Sequence, residues 1–243
     1  MRVLKGKTVK IRLSENISLF GITDMLQTFD THVGKYISYF ISACDREDYP
    51  NMFLSHIQDV RLHHKTSNIG RAALKWSEKN IERLAYEAQY LRRTSSSSKP
   101  LDAVAFDGRS IKIIPYESTE TVDTNFQIEV FDGDVAKIFL SDSICIFGIT
   151  DVRRKREDEC KHLISYFISS CDREGIPNLH YVADEVFSTD ANIEDTALLW
   201  IRQNFNILVE EAQYLRWKRV DTDEYLDEIN VINDEIHIVS LKS

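Results

Sequence analysis

The string Cys-Asp-Arg-Glu occurs twice in this chain, at 44–47 and again at 171–174. Carboxylates at Asp-x-Glu spacing can pool oxygens around a hard cation such as Mg2+, so Asp45 with Glu47, and Asp172 with Glu174, fit a metal-dependent nuclease or hydrolase. A structural role competes. The local periodicity predicts that both strings close a helix, where negative charge is disfavoured and a cation is wanted. Arg92 and Arg216, each ending a shared Glu-Ala-Gln-Tyr-Leu-Arg string, would supply that cation. The ion-pair reading is preferred, and no residue is assigned a catalytic role.

Other reactive types are weaker candidates. Ser38 and Ser42, matched by Ser165 and Ser169, form a small-residue line at i, i+4 on the predicted helix. A serine nucleophile needs a base, and no histidine recurs at one place in both halves. His63 and His64 adjoin, yet a third ligand at zinc spacing is missing, so no metal is expected. Phosphate-cradling loops, the nucleophile elbow and the zincin helix are all absent as strings, and no cofactor is expected. Arg153, Arg154, Lys155 and Arg156 form one basic run, followed at once by Glu157, Asp158 and Glu159. They read as a self-compensating patch, with phosphate or nucleic-acid binding as the alternative.

The elements that must carry these groups come in pairs. Residues 13–51 and 140–178 are identical at 20 of 39 positions at an offset of 127. Each half opens with an alternating stretch around Gly6 or Gly133, predicted as a hairpin turn, and continues into a short strand, Ile17–Ile22 or Ile144–Ile149. Thr23 and Thr150 are predicted helix caps. The helix expected next carries Val33, Tyr36, Ile37, Phe40, Ile41 and Cys44, with Cys160, Leu163, Ile164, Phe167, Ile168 and Cys171 in its twin. Short helices are expected near Phe53–Leu62 and Tyr181–Phe187, and one long helix over Ala72–Arg93 or Thr196–Lys218. A closing hairpin ends each half. The expected fold is α+β, written twice: residues 1–117, a linker at 118–127 and residues 128–243, each half a small antiparallel sheet of two hairpins plus a short strand against two or three helices. Tandem copies of this kind are expected to pack as a pseudo-two-fold dimer.

Composition bounds the partners. With 43% hydrophobic and 28% charged residues, the 243-residue chain is ordinary globular material, and it lacks an apolar run of bilayer length. The four cysteines include no Cys-x-x-Cys pair and read as free thiols, so a soluble cytoplasmic protein with no membrane partner is expected. Net charge is −9, split as +3 over residues 1–127 (18 basic, 15 acidic) and −12 over residues 128–243 (12 basic, 24 acidic). The acidic half clusters its carboxylates at Asp184, Glu185, Asp190, Glu194, Asp195, Asp221, Asp223, Glu224, Asp227 and Glu228. Such a surface suits a protein partner with a basic surface, with self-association as a further option, and disfavours nucleic acid. The expectation is a non-enzymatic binding protein, in its sharpest form an inhibitor or immunity-type protein against a nucleic-acid-handling enzyme. The alternatives are the metal-dependent hydrolase above and a nucleic-acid-associated subunit of a larger complex.

Overall fold

A computed structural model describes residues 2–14, 17–23, 36–43, 53–62, 68–94, 102–106, 111–115, 129–141, 144–150, 162–170, 179–187, 191–218, 227–232 and 235–240. The first half runs β1 (Arg2–Arg12), β2 (Ile17–Thr23), β3 (Tyr36–Ala43), β4 (Phe53–Arg61), α1 (Ile69–Lys79), α2 (Ile81–Thr94), β5 (Asp102–Phe106) and β6 (Ile111–Pro115). The second half repeats that order as β7 (Glu129–Phe139), β8 (Ile144–Thr150), β9 (His162–Ser170), β10 (Leu179–Phe187), α3 (Ile193–Gln203), α4 (Phe205–Lys218), β11 (Asp227–Ile232) and β12 (Glu235–Ser240).

The expected pair of tandem α+β domains is not what the chain builds. The long strands join in one closed antiparallel barrel, ordered β1-β2-β3-β4-β10-β9-β8-β7, with β5-β6 and β11-β12 as separate two-stranded sheets. Nor are the compact units consecutive in sequence. One is Lys7–Gly133; the other joins Met1–Gly6 to Asp134–Ser243. The handover falls at Gly6 and Gly133, the expected turns; β1 and β7 instead run straight through both glycines. The expected linker at 118–127 lies outside the described residues.

The largest local correction concerns the repeated Ile-Ser-Tyr-Phe-Ile-Ser string. It forms β3 and β9, and Ile37–Ala43 and Ile164–Ser170 are buried throughout. A short segment buried on both faces keeps apolar residues at helical and strand spacing alike, so periodicity cannot separate the two. β-branched and aromatic residues decide for the strand. In the same way the expected short helices are β4 and β10. Thr23 and Thr150 are strand residues, not caps. Thr23 Oγ1 accepts from Lys7 N (2.9 Å) and donates to Lys7 O (3.3 Å), and Thr150 does the same with Asp134 (2.8 and 3.4 Å).

Each expected long helix is two helices. Asn80 and Asn204 stand at the breaks, each sending its side-chain Nδ2 to the carbonyl of Trp76 or Trp200 at 2.8 Å. Those amides close the open carbonyl ends of α1 and α3. At the other ends Asn68 accepts from Arg71 N (2.7 Å) and Asn192 from Glu194 N (2.9 Å), as N-caps do. The helices cover one face of each set of strands. Val9, Ile11, Leu19, Ile37, Tyr39 and Ile41 meet Ala73, Leu84 and Ala88 in the first core; Ala136, Ile138, Ile146, Ile164 and Tyr166 meet Ala197, Leu208 and Ala212 in the second.

Candidate functional site

On each set of strands the face turned away from the helices carries the polar side chains. Alternation along the strands and the pairing register lay them out in rows. In the first half one row reads Thr8, Ile22, Ser38, Asp59, and the next reads Lys10, Phe20, Phe40, His56. The second half matches with Val135, Ile149, Ser165, Asp184 and then Lys137, Phe147, Phe167, Tyr181. Two features therefore recur: a serine facing an aspartate, and a lysine beside a pair of phenylalanines.

The contacts in these rows are specific. Ser165 Oγ donates to Asp184 Oδ1 at 2.6 Å, and His56 Nε2 lies 3.1 Å from Asp59 Oδ1. Lys137 Nζ sits 4.7 Å from the Phe139 ring and 5.4 Å from that of Phe147, while Lys10 Nζ is 5.7 Å from Phe20. The rings of His56 and Tyr181 occupy matching places, edge-on to Phe40 (5.4 Å) and Phe167 (5.9 Å). Serine, histidine and aspartate thus come together in the first half, which the sequence spacing of Ser38 and Ser42 does not reveal. Their order is wrong for nucleophilic catalysis, in which an imidazole touches the hydroxyl and the carboxylate orients the imidazole. Here the carboxylate residue is the serine's cross-strand neighbour, the imidazole meets the carboxylate, and Ser38 is 2% exposed. The rows are part-buried, and their hydrogen bonds, Ser165 to Asp184 and His56 to Asp59, tie neighbouring groups together rather than present a nucleophile.

On the opposite face, Tyr39 stacks on Trp76 (centroids 4.0 Å) and Tyr166 on Trp200 (3.9 Å). Burial raises the pKa of both phenols above the ordinary tyrosine value. For Tyr166 the hydroxyl also donates to Glu185 Oε2 at 2.9 Å, and the nearby negative charge adds to the shift.

These contacts place part of the acidic set inside the chain's own networks. Asp184 holds Ser165, Glu185 holds Tyr166, and Glu194, in the first turn of α3, pairs with Lys5 from β1. Asp195 and Glu228 are exposed. Asp227 lies in β11, and its side chain is not among those described, nor are those of Arg92 and Arg216. Asp45, Glu47, Asp172, Glu174, Asp190, Asp221, Asp223, Glu224 and Arg153–Arg156 lie outside the described residues. Among the described residues no group of three metal-ligating side chains converges.

The outward sides of the helices hold residues that no motif singles out. α4 buries Leu208, Ala212 and Leu215, yet it also exposes Ile207 and Tyr214, and α3 exposes Leu199. In α1 and α2 the residues at matching positions, at an offset of 124, are Lys75 for Leu199, Arg83 for Ile207 and Tyr90 for Tyr214. A position-by-position alignment of the helices in the two halves is the sequence signal that carries this divergence. No helix among the described residues is long and apolar enough to cross a membrane. No family model, curated protein or solved structure matches the chain.

Proposed function

We propose that this protein is a non-enzymatic, cytoplasmic binding protein whose α3–α4 side docks a protein partner with a basic surface. The observation that carries the reading is the exposure of Leu199, Ile207 and Tyr214 on the outward sides of two helices that already bury a full apolar stripe. A helix apolar on more than one side normally has more than one apolar neighbour. The fold does not demand Leu199 and Ile207, because the matching sites in the first half carry Lys75 and Arg83, whereas Tyr214 is matched by Tyr90. Asp195 and Glu210 stand exposed on the same helices, within a half whose net charge is −12. Apolar anchors inside an acidic surround favour a partner bearing a basic rim, with the charges steering encounter and the anchors setting residence time. An inhibitor or immunity-type protein that occupies the basic groove of a nucleic-acid-handling enzyme is the sharpest form of this reading. Cys145, buried and outside any disulfide, is consistent with a reducing compartment.

The test uses the chain's own first half as a guide to tolerated residues. Wild type and the double variant Leu199→Lys, Ile207→Arg are immobilised and exposed to extract of the source cell. The expected result is a basic protein retained by wild type, released by raised salt, and no longer retained by the variant. Retention of the same protein by the variant, or retention indifferent to salt, overturns the proposal.

A further inference from the structure

The first-half helices have diverged in the opposite sense, and their outward side has a chemistry of its own. Ala73 and Ser77 turn α1 toward the core, and Leu84, Ala88 and Leu91 do the same for α2. The residues directly opposite are Arg71, Lys75 and Lys79 on α1, and Tyr86 and Tyr90 on α2, all exposed. The tyrosines are 69% and 57% accessible, the highest values for described large aromatic side chains. The three cations follow at i, i+4 and i+8, so successive charges are about 6 Å apart along the axis. In the second half the matching positions hold Asp195, Leu199 and Gln203, and Glu210 stands where Tyr86 is. The same scaffold is thus built once with this stripe and once without it, so the stripe is no requirement of folding.

Exposed Glu78 shares α1 with the cations and exposed Glu82 opens α2, and α1 still has an excess of basic charge: Arg71, Lys75 and Lys79 against Glu78. None of these three cations enters an ion pair among the described residues. The balance of −9 over the whole chain disfavours nucleic acid only as an average.

We propose that the outward side of α1 and α2 binds single-stranded nucleic acid, with Arg71, Lys75 and Lys79 following the phosphates and Tyr86 and Tyr90 stacking on unpaired bases. A row of cations and exposed rings on the outward sides of two consecutive helices suits sequence-tolerant single-strand binding, because the backbone supplies regular charge and every base has a flat face. A second acidic protein would match the cations but would leave the two most exposed rings unexplained.

Binding of a fluorescein-labelled oligothymidylate to the full chain, followed by anisotropy across a salt series, tests this. Wild type should bind at low salt, with a slope of log affinity against log salt near −2, about −0.7 for each of three phosphate contacts. The variant Arg71→Glu, Lys75→Glu, Lys79→Glu should lose binding while keeping its circular dichroism and thermal midpoint. Tyr86→Ala and Tyr90→Ala should each weaken oligonucleotide binding about tenfold and leave binding to heparin, which lacks bases, unchanged. Failure of wild type to bind at low salt overturns the proposal, as does full binding by the charge-reversed variant. Tyrosine variants that bind the oligonucleotide normally would reassign the surface to polyanions without bases. A concentration-dependent dimer in sedimentation, abolished by the same charge reversal, would reassign it to a second copy of the chain.

Discussion

Tyr166 joins both sides of its strand neighbourhood: its ring lies on Trp200 and its hydroxyl reaches Glu185 on β10. Burial, then the Glu185 hydrogen bond and charge, raise its pKa, and burial raises that of Tyr39. An acid whose folded pKa exceeds its unfolded value, about 10 for tyrosine, is favoured in the fold only while protonated. Its contribution is therefore complete below about pH 10 and is lost as pH rises beyond that. We expect the denaturant midpoint to hold steady up to about pH 10 and then fall, with the part of the tyrosinate absorbance that belongs to Tyr39 and Tyr166 appearing only together with unfolding. Tyr166→Phe, which cannot ionise, should flatten part of that fall even if it lowers stability at neutral pH. An identical alkaline limb in wild type and in the Tyr166→Phe, Tyr39→Phe double variant would sink this account. None of this is legible in the sequence, where Tyr39 and Tyr166 are ordinary members of an apolar run. The ring partners Trp76 and Trp200 stand out there only as a residue shared between the helices.

At the scale of elements, the sequence shows where structure lies better than what kind it is. β2, β5, β6, β8, β11 and β12 fall on segments expected to be strands, and α1 to α4 fall on the expected helices. β3 and β9 mimic helices in sequence because their neighbours on both faces keep every position small or apolar, which removes the alternation that identifies a strand. The glycines in β2 and β8 show how closely these strands pack. A Cβ on Gly21 would stand 2.7 Å from Ile37 Cδ1 and 3.1 Å from Val9 Cγ1, and one on Gly148 would stand 2.9 Å from Ile164 Cδ1. Gly21→Ala should therefore cost about 1–3 kcal/mol by overpacking, and Gly148→Ala a similar amount. The nearest atom is the tip of an isoleucine, so Ile37→Val, which deletes that tip, should relieve the clash. The double variant Gly21→Ala, Ile37→Val should be more stable than the sum of its single effects predicts. Strict additivity in urea denaturation would show that the methyl is absorbed elsewhere. The candidate surfaces are legible in the same limited way. Lys75 against Leu199 and Arg83 against Ile207 are visible in sequence, but only the burial of Ala73, Leu84, Ala197 and Leu208 shows that the differing residues face solvent.

For the molecule as a whole, sequence repetition and compact units part company. The repeat divides the chain near its middle, whereas the unit containing Asp134–Ser243 also takes in Met1–Gly6. Val3 packs against the second-half core, and Lys5 pairs with Glu194 at the start of α3. No local pattern could announce this, because a strand alternates in the same way whichever neighbour it joins. Removal of residues 1–6 should therefore weaken the second half selectively. Val3 gives up its partial burial there and Glu194 loses Lys5, for a total of roughly 1–2 kcal/mol. Lys5→Ala alone should cost about 1 kcal/mol, since the lysine is 66% exposed and screened but Glu194, 17% exposed, loses its cation. Hydrogen exchange distinguishes the two halves directly. In a chain that begins at residue 7, amides of α3 and α4 should exchange faster than in the full chain, while those of α1 and α2 keep their rates. Faster exchange in α1 and α2 with α3 and α4 unaffected would assign the first six residues to the wrong half, and an unchanged pattern throughout would mean that neither half depends on them.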